Sequence, residues 1–219
     1  VRLFDFALAL QQQIPLQVGS GSKAERGYAL ARPQARQAVK AGTVRLSGKD
    51  SVEKAFRAIA ASCIAQVHAN AAGVAGGYDE ESLHQMRVGL RRFRSALAVF
   101  RKVLQLPPEI VAELDWLTEE LGHARDWDVM AGATLPSLEG SMAAGRALLD
   151  VTQAALDAGR TAQVAAAAAV NSQRYTRLML LLGRWLIGKR WRQQVPGRSR
   201  LTAPAGRFAR AALRSAHRK

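Results

Sequence analysis

Apolar residues recur every three or four positions along most of this 219-residue chain, and short segments rich in Gly and Pro separate the apolar stretches. The first long stretch runs from Val52 to Val67, with Ser51 placed as a helix N-cap and a cluster of glycines from Gly73 onward ending it. Ala is abundant in the apolar stretches and aromatic residues are few, which favours helices over strands. The pattern therefore predicts an all-α protein built as a helical bundle.

Four more helices are predicted after the first, each bounded by a capping residue, Gly or Pro. The first of them starts at Asp79 or Glu80 and ends before Pro107. The second starts at Pro108 and is expected to bury Ile110, Leu114, Leu117 and Leu121. The third covers 141–169, and the fourth covers 172–187. Residues 188–204 are predicted to be a basic loop because Gly and Pro interrupt them. The stretch from Gly206 places Arg207, Arg210, Arg214 and His217 on one helical side, opposite Phe208, Ala212 and Leu213.

The helix that begins near Asp79 carries a stripe of cations. At about 100° per residue, its i, i+3, i+7 and i+10 positions are His84, Arg87, Arg91 and Arg94, and they share one face. The opposite face is apolar and contains Leu83, Met86, Leu90, Phe93, Leu97, Phe100 and Leu104. One face is therefore predicted to be buried, and the other to display positive charge.

Two interpretations of this stripe stay open on the pattern alone. Most amphipathic helices have a charged outer face that is only solvated. Here the stripe lacks acidic partners at i,i+4, so its arginines repel one another by a few tenths of a kcal/mol per pair. Guanidinium is permanently charged and donates two parallel hydrogen bonds to one phosphate, so the stripe favours a polyanionic ligand. Arg92 points away from the stripe and is expected to be solvated.

These residues resemble the CHAD family, the conserved-histidine α-helical domain, in three segments that follow the order of the family. The segments are "LHQMRVGLRRFRSALAVFRKVL" with its H-x-x-R-x-x-x-R-R-x-R pattern, "LDWLTEELGHARDWDVM" from Leu114 to Met130, and "SQRYTRLMLLLGRWL" from Ser172 to Leu186. The resemblance implies an all-helical domain of two similar bundles that binds inorganic polyphosphate on a basic surface. We expect this sequence to correspond to the first bundle, since it contains one His-x-x-Arg helix of this type and only a segment like the start of the second half at 207–219.

Residues 1–30, "VRLFDFALALQQQIPLQVGSGSKAERGYAL", resemble the closing segment of a CYTH domain, the α+β triphosphate-tunnel fold. The E-x-E-x-K motif that metal-dependent hydrolysis by that fold needs is absent from the sequence. We therefore expect a non-catalytic chain without a cofactor, although the parent protein is a candidate inorganic triphosphatase. The expected domains are a CYTH-like tail (1–31), a linker (32–50), a CHAD-like bundle (51–187), and a basic loop with the start of a second, incomplete half (188–219).

The net charge of +15 is concentrated at the end of the chain. Residues 158–219 contain 14 Lys and Arg side chains and no Asp or Glu, whereas residues 1–157 contain 18 basic and 17 acidic side chains. Such a field favours a polyanionic partner. The lone Cys63 cannot form an internal disulfide and is expected to be buried in a reducing compartment. No signal peptide or membrane span is recognised, so the expected location is the cytoplasm, including polyphosphate granules.

The expected function is binding of inorganic polyphosphate, and nucleic-acid binding or a role as accessory region of a triphosphatase are the alternatives. The candidate polyphosphate ligands are His84, Arg87, Arg91, Arg94, Lys102, Arg174, Arg177, Arg207, Arg210 and Arg214. For His84, donation to phosphate and a structural bond to a carboxylate stay equally open. Asp126 and Asp128 are expected to pair with Arg125 or an arginine of the stripe, and no spacing indicates a metal site.

Overall fold

A computed structural model describes residues 1–19, 23–31, 37–76, 78–139, 146–193 and 199–216. Within these ranges the regular structure is helical, and the one β-bridge joins Ser51 to Pro204. The helices are α1 (Arg2–Gln11), α2 (Lys23–Ala31), α3 (Val52–Ala75), α4 (Glu80–Phe100), α5 (Pro108–Val129), α6 (Leu135–Glu139), α7 (Arg146–Asn171), α8 (Gln173–Gly188), α9 (Ser199–Thr202) and α10 (Ala205–Ala216). A π-helical turn, Met130–Thr134, joins α5 to α6. The predicted all-α class is confirmed.

Local capping chemistry fixes the starts of the main helices. The side chains of Ser51, Asp79 and Ser172 each accept a hydrogen bond from the backbone N–H three residues on, which satisfies an orphan donor of α3, α4 and α8. Pro108 begins α5, where its missing N–H costs nothing. The predicted starts of these four helices are therefore confirmed. Helix α4 ends at Phe100, which agrees with the prediction that it ends before Pro107.

Helix α3 lies at the centre of the bundle and packs on α4, α7 and α8. Its Cys63 is buried, as expected. The approach of α4 is close at Gly89, where a Cβ would lie 2.8 Å from Cγ2 of Val67, so only glycine fits there. By length and composition alone α3 passes as a candidate membrane span, but its buried side chains belong to the common hydrophobic core.

The segment predicted as a basic loop, 188–204, contributes to the core. Trp191, in the 3₁₀ turn Arg190–Gln193, is fully buried, and its ring lies 4.7 Å from that of Trp185 and 5.8 Å from that of Phe56, centroid to centroid. Leu201 of α9 is also buried. The loop prediction was wrong for these residues because large apolar side chains anchor a segment that has no helical periodicity of its own.

A buried carboxylate holds the same segment on α3. Glu53 accepts hydrogen bonds from Trp191 Nε1 at 3.0 Å and from both ends of the Arg192 guanidinium, one of them at 2.6 Å. The paired guanidinium is the main reason why the pKa of Glu53 lies below its usual value. The charge of Arg192 is therefore neutralised within the fold.

Helix α1 packs against α8. Leu8 belongs to the core, and the ring of Phe4 covers Gly183, where a Cβ would overlap it. Asp5 pairs with Arg184 at 3.2 Å. These contacts attach the N-terminal helix to the bundle, while the division into tail, linker and bundle stays a prediction.

Candidate functional site

The cation stripe lies on α4, opposite the buried apolar face, and two of its arginines contact α5. At 1.5 Å per residue, His84 and Arg94 are separated by about 15 Å along the helix axis. Arg91 and Arg94 are exposed, whereas His84 and Arg87 are half-buried. The apolar face opposite is buried from Leu83 to Phe100. We call His84, Arg87, Arg91 and Arg94 the α4 stripe.

Helix α5 supplies the other wall of the stripe. Arg94 donates to Oδ1 of Asp115. Arg87 passes over Gly122 so closely that a Cβ on that glycine would lie 3.0 Å from Nη1 of the arginine. Asp115 and Gly122 are seven residues apart on one face of α5, which matches the spacing of Arg94 and Arg87 on α4 in an antiparallel pair.

Arg87 and Arg91 have no ion-pair partner within the described part of the chain. The exposed pair of Arg94 with Asp115 is worth at most about 1 kcal/mol, because water screens both groups. All three guanidinium groups are therefore open to an external anion at little cost. The side chain of His84 makes no hydrogen bond or ion pair with another described residue, so its expected bond to a carboxylate is not observed there.

The carboxylate of Asp128, at the C-terminal end of α5, has other hydrogen-bond partners than those predicted. Asp128 accepts a hydrogen bond from the hydroxyl of Tyr78 at 2.6 Å and one from Gln163 Nε2 at 3.1 Å. Arg125 pairs with Glu80. The expectation that Asp126 and Asp128 pair with Arg125 or with an arginine of the stripe was therefore wrong. Asp128 bonds to neutral donors from two other segments, and Asp126 has no ion pair with a described residue.

Tyr78 carries an unusual backbone conformation at this junction. Its φ of 52° lies in the left-handed region, which costs a non-glycine residue of order 1 kcal/mol or more. The hydrogen bond to Asp128 and the partial burial of the ring offset that cost. Burial and this hydrogen bond also raise the pKa of the Tyr78 phenol far above its usual value, so it stays a donor.

Arg92 is not simply solvated. It is half-buried and donates to Oε1 of Gln66 at 2.7 Å, while Nε2 of Gln66 donates to Gln85 at 2.9 Å. Arg92 thus completes a polar contact between α3 and α4, on the side of α4 away from α5. The prediction that it is solvated was wrong because the sequence pattern does not show that Gln66 is buried opposite it.

The predicted ligands on α8 lie on a different flank of α5 from the α4 stripe. Arg174 donates to Glu113 at 2.6 Å, and its guanidinium carbon stacks 4.1 Å from the centre of the Trp116 ring. At 100° per residue, Trp116 is turned by about 100° from Asp115 around the axis of α5. Arg177, one turn later on α8, is exposed. Arg174 and Arg94 thus contact neighbouring residues on one turn of α5, from flanks about 100° apart.

The remaining predicted ligands lie at the far end of α4 and on α10. Lys102 and Arg207 face one groove, and Arg210 and Arg214 lie exposed on α10. Lys102 follows the end of α4 at Phe100, about two helical turns beyond Arg94. The ten candidate cations therefore lie on three elements and the turn that follows α4: the stripe on α4, Arg174 and Arg177 on α8, Lys102 in the turn, and Arg207, Arg210 and Arg214 on α10. Leu213, expected on the apolar side of α10, is 62% exposed and lies outside the core. His217 lies outside the described residues.

Sequence reasoning did not identify Asp115 and Gly122 as parts of this surface. A glycine in the interior of a long helix is the one signal that was available, because Gly there costs about 1 kcal/mol relative to Ala without a packing reason. The partnership of Asp115 with Arg94 depends on the register of α5 against α4, and no local pattern shows it. Groups of His, Cys, Asp or Glu arranged to hold a metal are not found among the described residues.

Comparisons with known proteins agree with this architecture. The CHAD domain family model matches residues 58–219. The crystal structure of the CHAD domain from the plant Ricinus communis matches with a TM-score of 0.72 at 35% sequence identity, over 84% of this chain. The chain spans 59% of the length of that relative. A search of curated proteins gave no significant match. With the family model extending over most of the sequence and a solved CHAD domain sharing its fold, the chain belongs to the CHAD family.

Proposed function

We propose that this protein binds inorganic polyphosphate along the α4 stripe, without catalysing a reaction on it. The observation that carries the proposal is the row of guanidinium groups from Arg87 to Arg94, of which only Arg94 is paired within the described chain, by an exposed carboxylate. Membership of the CHAD family supports the same ligand. The location that fits this function is the cytoplasm, at polyphosphate granules.

The chemistry of the stripe suits an extended inorganic anion. Each guanidinium donates in a planar fork that matches two oxygens of one phosphate, and successive arginines repeat along the helix at roughly the 5 Å pitch of its turns. The surface offers no exposed aromatic side chain within the stripe on which a nucleobase would stack. Charge and spacing are therefore the means of recognition, which favours polyphosphate over nucleic acid.

Gly122 and Asp115 on α5 determine where the side chains of Arg87 and Arg94 lie. The absence of a side chain at Gly122 leaves Arg87 room to lie across α5, with its guanidinium at the surface of the junction. Asp115 holds Arg94 in place in the free protein and releases it to a phosphate at a cost of at most about 1 kcal/mol. The guanidinium can donate two parallel hydrogen bonds to one phosphate of a chain that carries many charges, so exchange of the partner is favourable.

The other predicted ligands take secondary places in this proposal. Arg177 on α8, and Arg210 and Arg214 on α10, add to the long-range positive field that attracts a polyanion. Arg174 has part of its charge compensated by Glu113. A long polyphosphate chain bound to the α4 stripe is expected to extend toward these cations only after the stripe is filled.

The test replaces Arg87, Arg91 and Arg94 together with Ala and measures the affinity for labelled long-chain polyphosphate by fluorescence anisotropy. We expect a loss of affinity of about 100-fold, since each lost guanidinium removes roughly 1 kcal/mol of net binding free energy. The matched control replaces Lys23, Lys40 and Arg45, three exposed cations outside the bundle core, with Ala. Both variants lose three positive charges, so a difference between them reports the position of the cations and not their number. We expect only the first variant to lose most of its affinity.

Circular dichroism of both variants separates binding from folding, because the apolar face of α4 is unchanged and helix content should stay the same. Equal losses in the stripe variant and its control would refute the α4 stripe as the site. Competition with single-stranded RNA and duplex DNA at matched phosphate concentration completes the test. If nucleic acid displaces the label as well as polyphosphate does, the function is general polyanion binding and the proposal is wrong.

A further inference from the structure

Helix α5, which lies beside the α4 stripe, is strongly acidic in an otherwise basic chain. It carries seven of the 17 acidic side chains and a single arginine. The acidic side chains are Glu109, Glu113, Asp115, Glu119, Glu120, Asp126 and Asp128. Among the described residues, α5 pairs with the stripe at one position only, where Asp115 accepts from Arg94. Most of the negative charge of α5 is therefore not used to neutralise the stripe.

Three of these carboxylates form a row along the exposed side of α5. At 100° per residue, Glu119 and Asp126 lie within about 40° of Asp115 around the helix axis. All three residues are exposed. The row extends about 16 Å along the axis, close to the length of the stripe on the neighbouring helix. We call Asp115, Glu119 and Asp126 the acidic crest.

Two members of the acidic crest have no Lys or Arg partner in the described part of the chain. Glu119 approaches His123 at 3.9 Å, with 75% and 68% of the two side chains exposed, and Asp126 makes no ion pair. Around the axis of α5, both carboxylates lie within about 60° of Gly122, over which Arg87 passes. They therefore contribute little to the fold through ion pairs, and they stand beside the site.

The stripe directs its guanidinium groups toward the acidic crest. Nη1 of Arg87 lies against α5 at Gly122, and Arg94 reaches Asp115. A phosphate held by these groups lies over the junction of the two helices, because packed helix axes are about 8–10 Å apart. An anion one chain wide can occupy this position, with the arginines on one side of it and the carboxylates on the other.

We propose that the acidic crest makes the α4 stripe selective for a narrow polyanion and excludes double-stranded nucleic acid from it. This inference rests on the proposed function and names the residues that reject a competing ligand. The two backbones of a DNA duplex are separated by grooves of about 6 and 12 Å. When one backbone lies on the stripe, phosphates of the other lie at about the distance of α5, where like charges repel them. Polyphosphate has no second backbone and avoids this cost.

The experiment neutralises the two unpaired carboxylates in the variant Glu119→Gln with Asp126→Asn, and leaves Asp115 and the stripe in place. The matched control, Glu109→Gln with Asp150→Asn, also removes one Glu and one Asp charge from exposed positions, but outside the acidic crest. Affinities for labelled duplex DNA and labelled long-chain polyphosphate are measured by fluorescence anisotropy near physiological salt, where exposed charges act over about 8 Å.

We expect the affinity of the crest variant for duplex DNA to rise about tenfold and its affinity for polyphosphate to rise at most about twofold. The control should change both affinities by less than about twofold. Equal gains for the two ligands would show that the acidic crest only changes the overall field, and would overturn the proposal. An unchanged affinity for DNA would overturn it as well.

Two further variants locate the effect. When Arg87, Arg91 and Arg94 are all replaced with Ala, the crest substitutions should no longer raise the affinity for DNA, because no cations remain to hold the first backbone. Charge reversal, Glu119→Lys with Asp126→Lys, should raise the affinity for DNA further than neutralisation does. A gain that persists without the arginines, or the absence of this order, would refute the proposal. Circular dichroism should show unchanged helix content, since the substituted crest positions are exposed.

Failure of this proposal is distinguishable from failure of the proposed function. If polyphosphate binding depends on the stripe arginines but the crest variant binds DNA no better, the site stands and the acidic crest does not select its ligand. If polyphosphate binding does not depend on those arginines, the site itself is wrong, whatever the crest substitutions do.

Discussion

The contact of Arg87 with Gly122 offers a sharp test of the α4 stripe. In Gly122→Ala the new Cβ would lie 3.0 Å from Nη1 of Arg87, so the guanidinium must move by a few tenths of an ångström. The nearby atom is the end of a flexible side chain, and therefore the move costs little stability. Ala replaces Gly in a helix interior with a gain of about 0.8–1.0 kcal/mol, so we expect the variant to be more stable by somewhat under 1 kcal/mol.

Binding should change in the opposite direction. A displaced Arg87 keeps its charge but loses the alignment of its hydrogen bonds, and we expect a loss of about 1 kcal/mol of binding free energy, or roughly fivefold in affinity for polyphosphate. Stability is measured by urea denaturation and affinity by anisotropy. The matched control is Gly159→Ala on α7, where the added Cβ would make an ordinary 3.5 Å contact with Trp127. This control should gain stability without losing affinity.

A double-mutant cycle decides whether Gly122 acts through Arg87. In the Arg87→Ala background no guanidinium remains to be displaced, so Gly122→Ala should then have no further effect on affinity. If the glycine substitution weakens binding equally in both backgrounds, the phosphate itself approaches Gly122 and the reasoning about Arg87 is wrong. If it weakens binding in neither, the position of Arg87 does not matter for the site.

Three further predictions address the ion pairs and the core. Asp115→Asn removes the competitor for Arg94 and should raise polyphosphate affinity by up to about fivefold in the same anisotropy assay, since an exposed pair is worth at most about 1 kcal/mol. A fall in affinity would contradict the role of Asp115 as a competitor. Arg192 lowers the pKa of Glu53 in the folded state, so the unfolded state binds more protons at acid pH. The free energy of unfolding should therefore fall as the pH drops from the usual pKa of 4.5 through the lower folded pKa. Urea denaturation at a series of pH values should show a weaker pH dependence in this range for Glu53→Gln. Phe56→Ala should destabilise the bundle by about 3–5 kcal/mol in urea denaturation, because it empties the centre of the aromatic cluster, and a loss below about 1 kcal/mol would contradict that role.

Most of the helix starts, and the α4 stripe itself, were predictable because the information is local. Asp79 caps α4 through a hydrogen bond only three residues away, and the face of each stripe residue follows from the helical period. The same is true of Pro108 at the start of α5. Neither feature depends on how helices pack against one another, and so the sequence pattern alone predicts both.

The parts that sequence reasoning missed are all set by long-range packing. The partnership of Arg94 with Asp115 needs the register of two helices, and that of Arg92 with Gln66 needs the burial of an amide on a third. The burial of Trp191 requires the ring cluster that begins at Phe56, more than one hundred residues earlier. The pattern of polar and apolar residues shows which face of a helix is exposed to solvent. It does not show which side chain of a distant helix contacts that face.

The structure also changes what the net charge of +15 means. Arg192 is neutralised by Glu53, and Arg174 is compensated by Glu113 in addition to its contact with Trp116. A count of cations therefore overstates the charge that a ligand meets, and it misplaces that charge, since the most basic part of the sequence contributes side chains to the core. Arg87 and Arg91, which have no ion-pair partner among the described residues, lie instead on a helix from the nearly neutral part of the chain. Specific binding is expected where cations have room and lack partners, and not where they are most numerous along the sequence.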